Sequence, residues 1–256
     1  MSLLKVQNLS ISFGGLKAVD SLNFEVPQNS IYGLIGPNGA GKTTVFNCIS
    51  RFYTPDEGSV MFYPDGNEVD LLKLKVHEVV SKKMVRTFQN VELVKMMSVM
   101  DNLLIGLHHE IKTNFFQEAL GLAKLKEKMY HDKAREVLKF LGLEKIENEI
   151  AGAQAYGVQK LIELGRTLMS DPKLIILDEP AAGMNHTETE ALAVLIKRIR
   201  DELGISVLLV EHDMALVMKI CERLCVISFG KKITEGTPEE VQNNKEVQAA
   251  YLGGEE

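Results

Sequence analysis

Two periods alternate along this chain. Apolar residues at every second position, Leu22, Phe24 and Val26 in "SLNFEV", predict a half-buried strand. "SIYGLIG" predicts a short apolar strand running into a glycine-rich turn. "TVFNCISRFY" predicts a helix, and "GSVMFY" a strand after the turn "TPDEG". The middle of the chain changes to helical spacing. In "SVMDNLLIGL", Ser98 and Asp101 form a capping-box pattern, with Asp in place of the usual Glu. From Phe115 to Leu143, the apolar positions Leu122, Leu125, Met129, Val137, Leu138 and Leu141 recur at helical spacing among charges, which predicts two helices and a loop.

The last third alternates strand and helix. "KLIILDEP" predicts a buried parallel strand, and "TETEALAVLIKRIRDELG" an amphipathic helix ended by Gly204. "ISVLLVEHD" predicts a strand and "MALVMKICERL" a helix. "CVISFGKKITEG" predicts a hairpin through Gly230. In "TPEEV", Thr237 predicts an N-cap, with Pro238 in the first turn and Glu240 reaching back. This alternation predicts an α/β sheet core, with an antiparallel lobe near the N-terminus and a helical lobe between.

Composition narrows the class. The 256 residues are 45% hydrophobic and 25% charged, enough for a sizeable core. The net charge of -6 argues against nucleic acid as a partner, because phosphate contacts need clustered Lys and Arg. Three cysteines and an opening "MSLLKVQNLS" without a signal-peptide pattern predict a reducing cytoplasm. Cys221 and Cys225, four apart in "CERLC", would share a helix face; without a second ligand pair they read as core. No apolar run approaches the roughly 20 residues that span a bilayer, so any membrane role is expected to come through a partner.

Chemistry enters with "GPNGAGKTT", Gly36 to Thr44, which matches GxxxxGK[ST] between a predicted strand and a predicted helix. Gly36, Gly39 and Gly41 allow close backbone approach to phosphate. Lys42 would reach the β- and γ-phosphates, Thr43 would offer its hydroxyl to Mg²⁺, and Thr44 would sit near the α-phosphate. Pro37, Asn38 and Ala40 complete the loop. At the exit of "LIILDEP", Asp178 suits a Mg²⁺ role through bound water and Glu179 a water-activating role. His212 in "LLVEHD" and Gln89 in "VRTFQN" would not be singled out alone. Nor would "AQAYGVQ", Ala153 to Gln159, which by itself reads as a loop entering an apolar helix.

In order and spacing, "GPNGAGKTT", "RTFQN", "AYGVQ", "LIILDEP" and "VEHD" resemble an ABC transporter ATP-binding subunit over nearly the whole chain. The resemblance implies a P-loop NTPase α/β fold of the ABC ATPase type. Its parts are a RecA-like α/β core, an N-terminal antiparallel β lobe and a helical signature lobe. A single domain, 1–256, would build its core and β lobe from 1–90 and 160–256, and its helical lobe from about 91–159. ATP and Mg²⁺ are the implied cofactors. Phe13 would stack on adenine, or stand as one more core phenylalanine, and Val19 would flank the base. Gln89 would sense Mg²⁺ and the γ-phosphate, and His212 would contact the γ-phosphate and support Glu179. Asn185 falls where the family usually has an aspartate.

"AQAYGVQ" falls where the family's signature "LSGGQQ" belongs. Ala155 stands for Ser, Tyr156 for the first Gly and Gln154 for Leu, while Gly157 and Gln159 survive. In such proteins the signature of one subunit closes over the P-loop of a second. Implied partners are therefore a second ATP-binding subunit, integral membrane permeases and, indirectly, a periplasmic substrate-binding protein, at the cytoplasmic face of the membrane. "GGLKAV", "DEPAAGMN" and "AAYLGG" further resemble the branched-chain amino-acid uptake group, in its type with a longer helical insertion, here about Glu110 to Met129. Urea or short-amide uptake, lipopolysaccharide export and a non-transport ABC ATPase are the alternatives.

Overall fold

The computed structural model describes residues 1–87, 89–108 and 122–252, and it divides into two units, Met1–Arg86 with Lys173–Glu256, and Thr87–Pro172. The first unit opens with two 12-residue strands, β1 (Ser2–Phe13) and β2 (Leu16–Pro27). Leu22, Phe24 and Val26 are all buried, as their alternation predicts. All five residues of β3 (Ile31–Ile35) are buried, as in a strand covered on both faces. Helix α1 (Lys42–Ile49) starts two residues earlier and stops four earlier than the apolar pattern suggests. It stops because Arg51 turns left-handed, at φ 69°, with its Nε donating to the Leu74 carbonyl at 3.0 Å. Strands β4 (Glu57–Phe62) and β5 (Val69–Asp70) extend the first pair into an antiparallel sheet ordered β2-β1-β4-β5. β6 (Met84–Arg86) closes this half of the unit.

The second unit is helical among its described residues. Ser98 caps α2 (Val99–Ile105) by accepting the Asp101 N–H at 3.0 Å. The Asp101 carboxylate accepts from the Ser98 hydroxyl at 2.7 Å, so the expected box is made between side chains. One continuous helix, α3 (Leu122–Leu141), buries Ala134, Leu138 and Leu141 but exposes Leu125 and Met129, so the apolar stripe leaves the core towards its start. The stretch from Phe115 to Gly121, and with it most of the predicted insertion from Glu110 to Met129, lies outside the described residues. So do Gly253 and Gly254 of "AAYLGG". Helix α4 (Tyr156–Leu168) belongs wholly to this unit, so the chain crosses back near residue 173 rather than 160.

The first unit resumes with β7 (Leu174–Asp178), α5 (His186–Leu203) and β8 (Ser206–Val210). Gly204 ends α5 in the left-handed conformation, as predicted. Helix α6 (Met214–Ile220) ends before Cys221, and β9 (Arg223–Ser228) begins where the helix was expected to continue. Cys221 and Cys225 therefore share no helix face. Both are buried, and burial pushes each thiol pKa up to about 12. β9 turns through Phe229 and Gly230 into β10 (Lys231–Gly236). Thr237 and Glu240 form the predicted capping box at α7 (Pro238–Gln242), and α8 (Lys245–Leu252) follows. These strands form a six-stranded sheet, β10-β9-β3-β8-β7-β6, parallel except for the β9–β10 pair. The loops after β3, β7 and β8 leave the carboxyl ends of adjacent parallel strands, where open α/β sheets bind ligands.

Candidate functional site

The loop after β3 is held by close backbone packing. A Cβ at Gly36 would stand 2.0 Å from the Ile227 carbonyl oxygen, and one at Gly41 would stand 2.6 Å from that of Ala18. Gly41 also has φ 101°, a conformation L side chains rarely adopt. The loop then delivers the start of α1 with no side-chain cap, so its first amides remain available to an anion. The Lys42 ammonium folds back over the loop, donating to the Gly36 carbonyl at 2.8 Å and the Pro37 carbonyl at 2.9 Å. Burial lowers its pKa, while Glu179 and Asp178 work in the opposite direction. Thr43 is exposed beside it and Thr44 is half-buried.

The acids at the end of β7 have separate environments. Asp178 is almost fully buried, and its Oδ2 accepts from Arg86 Nη2 at 2.7 Å. Arg86 also donates to the side-chain oxygen of Asn47 on α1 and to the hydroxyl of Ser50, its C-cap, which ties β6, α1 and β7 together. Glu179 takes φ 48°, an uncommon backbone state for a non-glycine residue. Its Oε1 lies 3.0 Å from His212 Nε2, which joins the ends of β7 and β8. The buried Glu211 carboxylate reinforces that junction. It accepts from the backbone amides of Ala181, His212 and Asp213 at 2.7, 2.9 and 3.2 Å.

These parts surround one cleft of about 460 Å³, lined by residues 38–44, Glu179 and His212, with Leu16, Lys17, Ala18 and Phe229. Seven residues of the predicted phosphate loop, the predicted water-activating Glu and the predicted His thus meet at one place. Asp178 stands behind this lining on Arg86. Phe13 and Val19 do not line the cleft. Phe13 packs edge-to-face on Tyr53, with centroids 5.3 Å apart. Val19 is fully buried, and its Cγ2 would lie 3.6 Å from a Cβ at Gly41, so it supports the loop from beneath. Among the described residues no cluster of three His, Cys, Asp or Glu could hold a metal by itself. A Mg²⁺ would fit here on Thr43 and Asp178 only if phosphate oxygens supplied most of its ligands, which is its usual mode.

Gln89, Ala155, Gly157 and Gln159 belong to the other unit. Gln89 is exposed in the bend after β6. Ala155 is the N-cap of α4 and makes no side-chain cap bond, as its missing hydroxyl requires. Gly157 is buried in the first turn. Gln159 donates to the Gln154 carbonyl at 2.7 Å, and Gln154 donates to Glu149 Oε2 at 2.9 Å and to the Ile150 carbonyl at 3.3 Å. The amide in place of leucine therefore ties down the loop. Asn185, the other departure from the family pattern, caps α5 in a reciprocal box with Glu188.

Several contributors carried no assigned role in the sequence. Arg86 and Glu211 lie inside quoted motifs, but their partners are distant in sequence or are backbone amides. Tyr251, in the "AAYLGG" ending, is 37% exposed overall, yet desolvation of its phenol pushes the pKa up to about 12, opposed by a hydrogen bond with the Gly36 backbone. The apolar ending was the available signal for that contact.

Residues 19–182 match the family model for ABC transporters, and residues 231–256 match one for branched-chain amino acid ATP-binding cassette transporters. The chain is 43% identical, over 98% of both sequences, to the high-affinity branched-chain amino acid transport ATP-binding protein BraF of Pseudomonas aeruginosa. It is 41% identical, again over 98% of both, to the corresponding protein LivG of Escherichia coli. Among solved structures it is similar to the ADP conformation of an ATP-binding cassette of an ABC transporter. That likeness has TM-score 0.84 and 32% identity over 99% of each chain.

Proposed function

We propose, from the premise that this chain belongs to the ATP-binding subunits of ABC transporters, that its ATP hydrolysis powers uptake of branched-chain amino acids through partner membrane permeases. The observation that carries the substrate reading is the identity of over 40%, along nearly the full chain, to branched-chain amino acid transport ATP-binding proteins. Among the described residues no helix is long and apolar enough to cross a membrane, in keeping with attachment through permeases.

The roles follow from the cleft. The loop amides, the start of α1 and Lys42 hold the triphosphate and offset the charge that develops on it. Glu179 orients the attacking water and accepts its proton as the water oxygen bonds to the γ-phosphorus. The bond from the γ-phosphorus to the bridging oxygen breaks, and ADP leaves with that electron pair. His212 fixes the Glu179 carboxylate and faces the γ-phosphate. Thr43 and Asp178 would hold Mg²⁺, which when bound neutralises phosphate charge. Arg86 holds the Asp178 carboxylate in place through the 2.7 Å contact.

A second ATP-binding subunit completes the site. The uncapped start of α4, with Ala155, Gly157 and Gln159, would meet the γ-phosphate held by the other copy's phosphate loop. A permease surface is offered by the second unit. Segment 94–98 is fastened by the fully buried Asn102 and pairs with 149–152, and together they expose Val94, Met96, Met97 and Ile150. Such an apolar patch suits a protein partner.

The test is uptake of labelled leucine, with labelled urea as the comparison, in a strain lacking this chain and complemented with wild type or Glu179→Gln. Leucine uptake restored by wild type alone is expected. Restoration of urea uptake without leucine uptake removes the substrate reading.

A further inference from the structure

The β9–β10 hairpin breaks a local rule at the edge of the cleft. Ser228 pairs with Lys231, so Phe229 and Gly230 are the two central residues of a two-residue turn. Their φ values are 46° and 77°, both positive, as a type I′ turn requires. Asn, Asp or Gly suits the first central position. A bulky aromatic takes a left-handed backbone only at a cost. Packing does not compensate for that cost, because Phe229 is 90% exposed.

The turn is nevertheless fixed in place. The Gly230 N–H donates to the Ala40 carbonyl of the phosphate loop at 3.0 Å, and the Asp20 N–H donates to the Gly230 carbonyl at 2.9 Å. Asp20 also pairs with Lys231 at 3.2 Å and with Lys17 at 2.5 Å. A Cβ at Gly230 would stand 2.6 Å from the Ala18 oxygen. The hairpin is thus clamped between the phosphate loop and the start of β2, with its exposed ring on the wall of the cleft beside Leu16, Lys17 and Ala18. A strained, exposed aromatic held rigidly on a ligand cleft is a binding feature. The neighbouring loop takes phosphate, and a phenyl face offers phosphate nothing. The part of a nucleotide that packs on a phenyl face is the planar base.

We propose that Phe229 supplies an aromatic face on which the base of the bound nucleoside triphosphate stacks. Phe13, the ring expected there from family resemblance, packs on Tyr53 and does not line the cleft, whereas Phe229 does. The inference rests on the reading of this cleft as the nucleotide site. Because every base has a π-face, the contact adds affinity and discriminates weakly between ATP and GTP.

Calorimetric titration of the full chain with ATP and with inorganic tripolyphosphate, both with Mg²⁺, separates the base from the phosphates. Phe229→Ala should weaken ATP binding about tenfold and leave tripolyphosphate within about twofold of wild type. Phe229→Tyr should restore ATP affinity. Phe229→Asn should weaken ATP as the alanine variant does while raising Tm, because asparagine suits the turn. A merely structural phenylalanine gives the opposite Tm change. The proposal is overturned if Phe229→Ala leaves ATP affinity within about twofold of wild type, or if both ligands weaken equally. Failure of wild type itself to bind ATP removes the nucleotide reading of the cleft instead.

Discussion

The phosphate loop ahead of α1 and the segment that ends at Ala155 ahead of α4 both lead into a helix whose first amides have no side-chain cap. They differ in what surrounds those amides. The first is packed against Ala18, Ile227 and Gly230 and carries its own cation, Lys42. The second is tied by the side-chain amides of Gln154 and Gln159 and by local backbone bonds, and the Lys160 ammonium sits over the Tyr156 ring at 5.6 Å. On the proposed reading, the same helix-terminus physics serves a half-site in one region and the surface that would complete a second copy's site in the other. A phosphate site gains from charge as well as oriented amides, and in the first region Lys42 is folded over the loop itself.

The sharpest way to break this contrast is to disable the chemistry while sparing the first region's grip. Glu179→Gln should lower ATP turnover in the membrane complex by about 10²- to 10⁴-fold, the usual worth of a general base. ATP affinity should stay near wild type. Turnover measured alongside equilibrium binding checks both, and unchanged turnover would remove Glu179 as the group that positions water. Lys42→Ala attacks the grip itself. Loss of a charge-assisted contact predicts ATP binding weakened roughly 10- to 100-fold. If ATP affinity survives, the first region does not depend on its cation and the contrast fails.

A smaller effect sharpens the other side. Ala155→Ser returns a hydroxyl to the α4 cap. One neutral hydrogen bond is worth about 1 kcal/mol, so turnover of the assembled complex should change by no more than about fivefold. Nucleotide binding to the isolated chain should not change. An effect on the isolated chain would mean that the second loop does not need another subunit to meet phosphate.

The two regions were also unequally legible in the sequence. "GPNGAGKTT" could be read because one contiguous segment supplies glycines, lysine and hydroxyl, and the flanking strand and helix follow from local periodicity. The boundaries of α5 and the hairpin at Gly230 were legible for the same reason. What stayed hidden depends on pairing. Arg86 meets Asp178 across 92 positions, the left-handed states of Glu179 and Phe229 leave no compositional trace, and the end of α6 at Ile220 is set by the strand that begins at Arg223. In the second region "AQAYGVQ" keeps only two of the family's six signature residues. Its meaning came from position between better-defined motifs and not from its own chemistry.

Burial also acts on a charged group in each region, Lys42 and Glu163, and moves the two in opposite directions. Lys42 is lowered. Glu163, 3% exposed on α4, is raised, chiefly by burial. Its Oε1 accepts the Glu92 N–H at 3.2 Å and lies 3.7 Å from Arg166, contacts that only partly offset the cost of burying a carboxylate. For an acid whose folded pKa is raised, the contribution to stability is fully present below the unfolded value, about 4.3. It is lost as pH rises through the higher folded value. At neutral pH Glu163 therefore weighs against the second unit's stability. Glu163→Gln keeps an acceptor for the Glu92 amide and removes the charge. It should raise Tm by about 2–4 °C at pH 7.5, equivalent to about 1 kcal/mol, with the gain shrinking as pH is lowered towards 4.5. Thermal unfolding of both forms across that range checks the sign. A gain that is independent of pH would place the effect in packing rather than in the buried charge, and a loss would mean that Arg166 outweighs burial. Either result would leave Lys42 as the one group, of the two, whose burial governs its region.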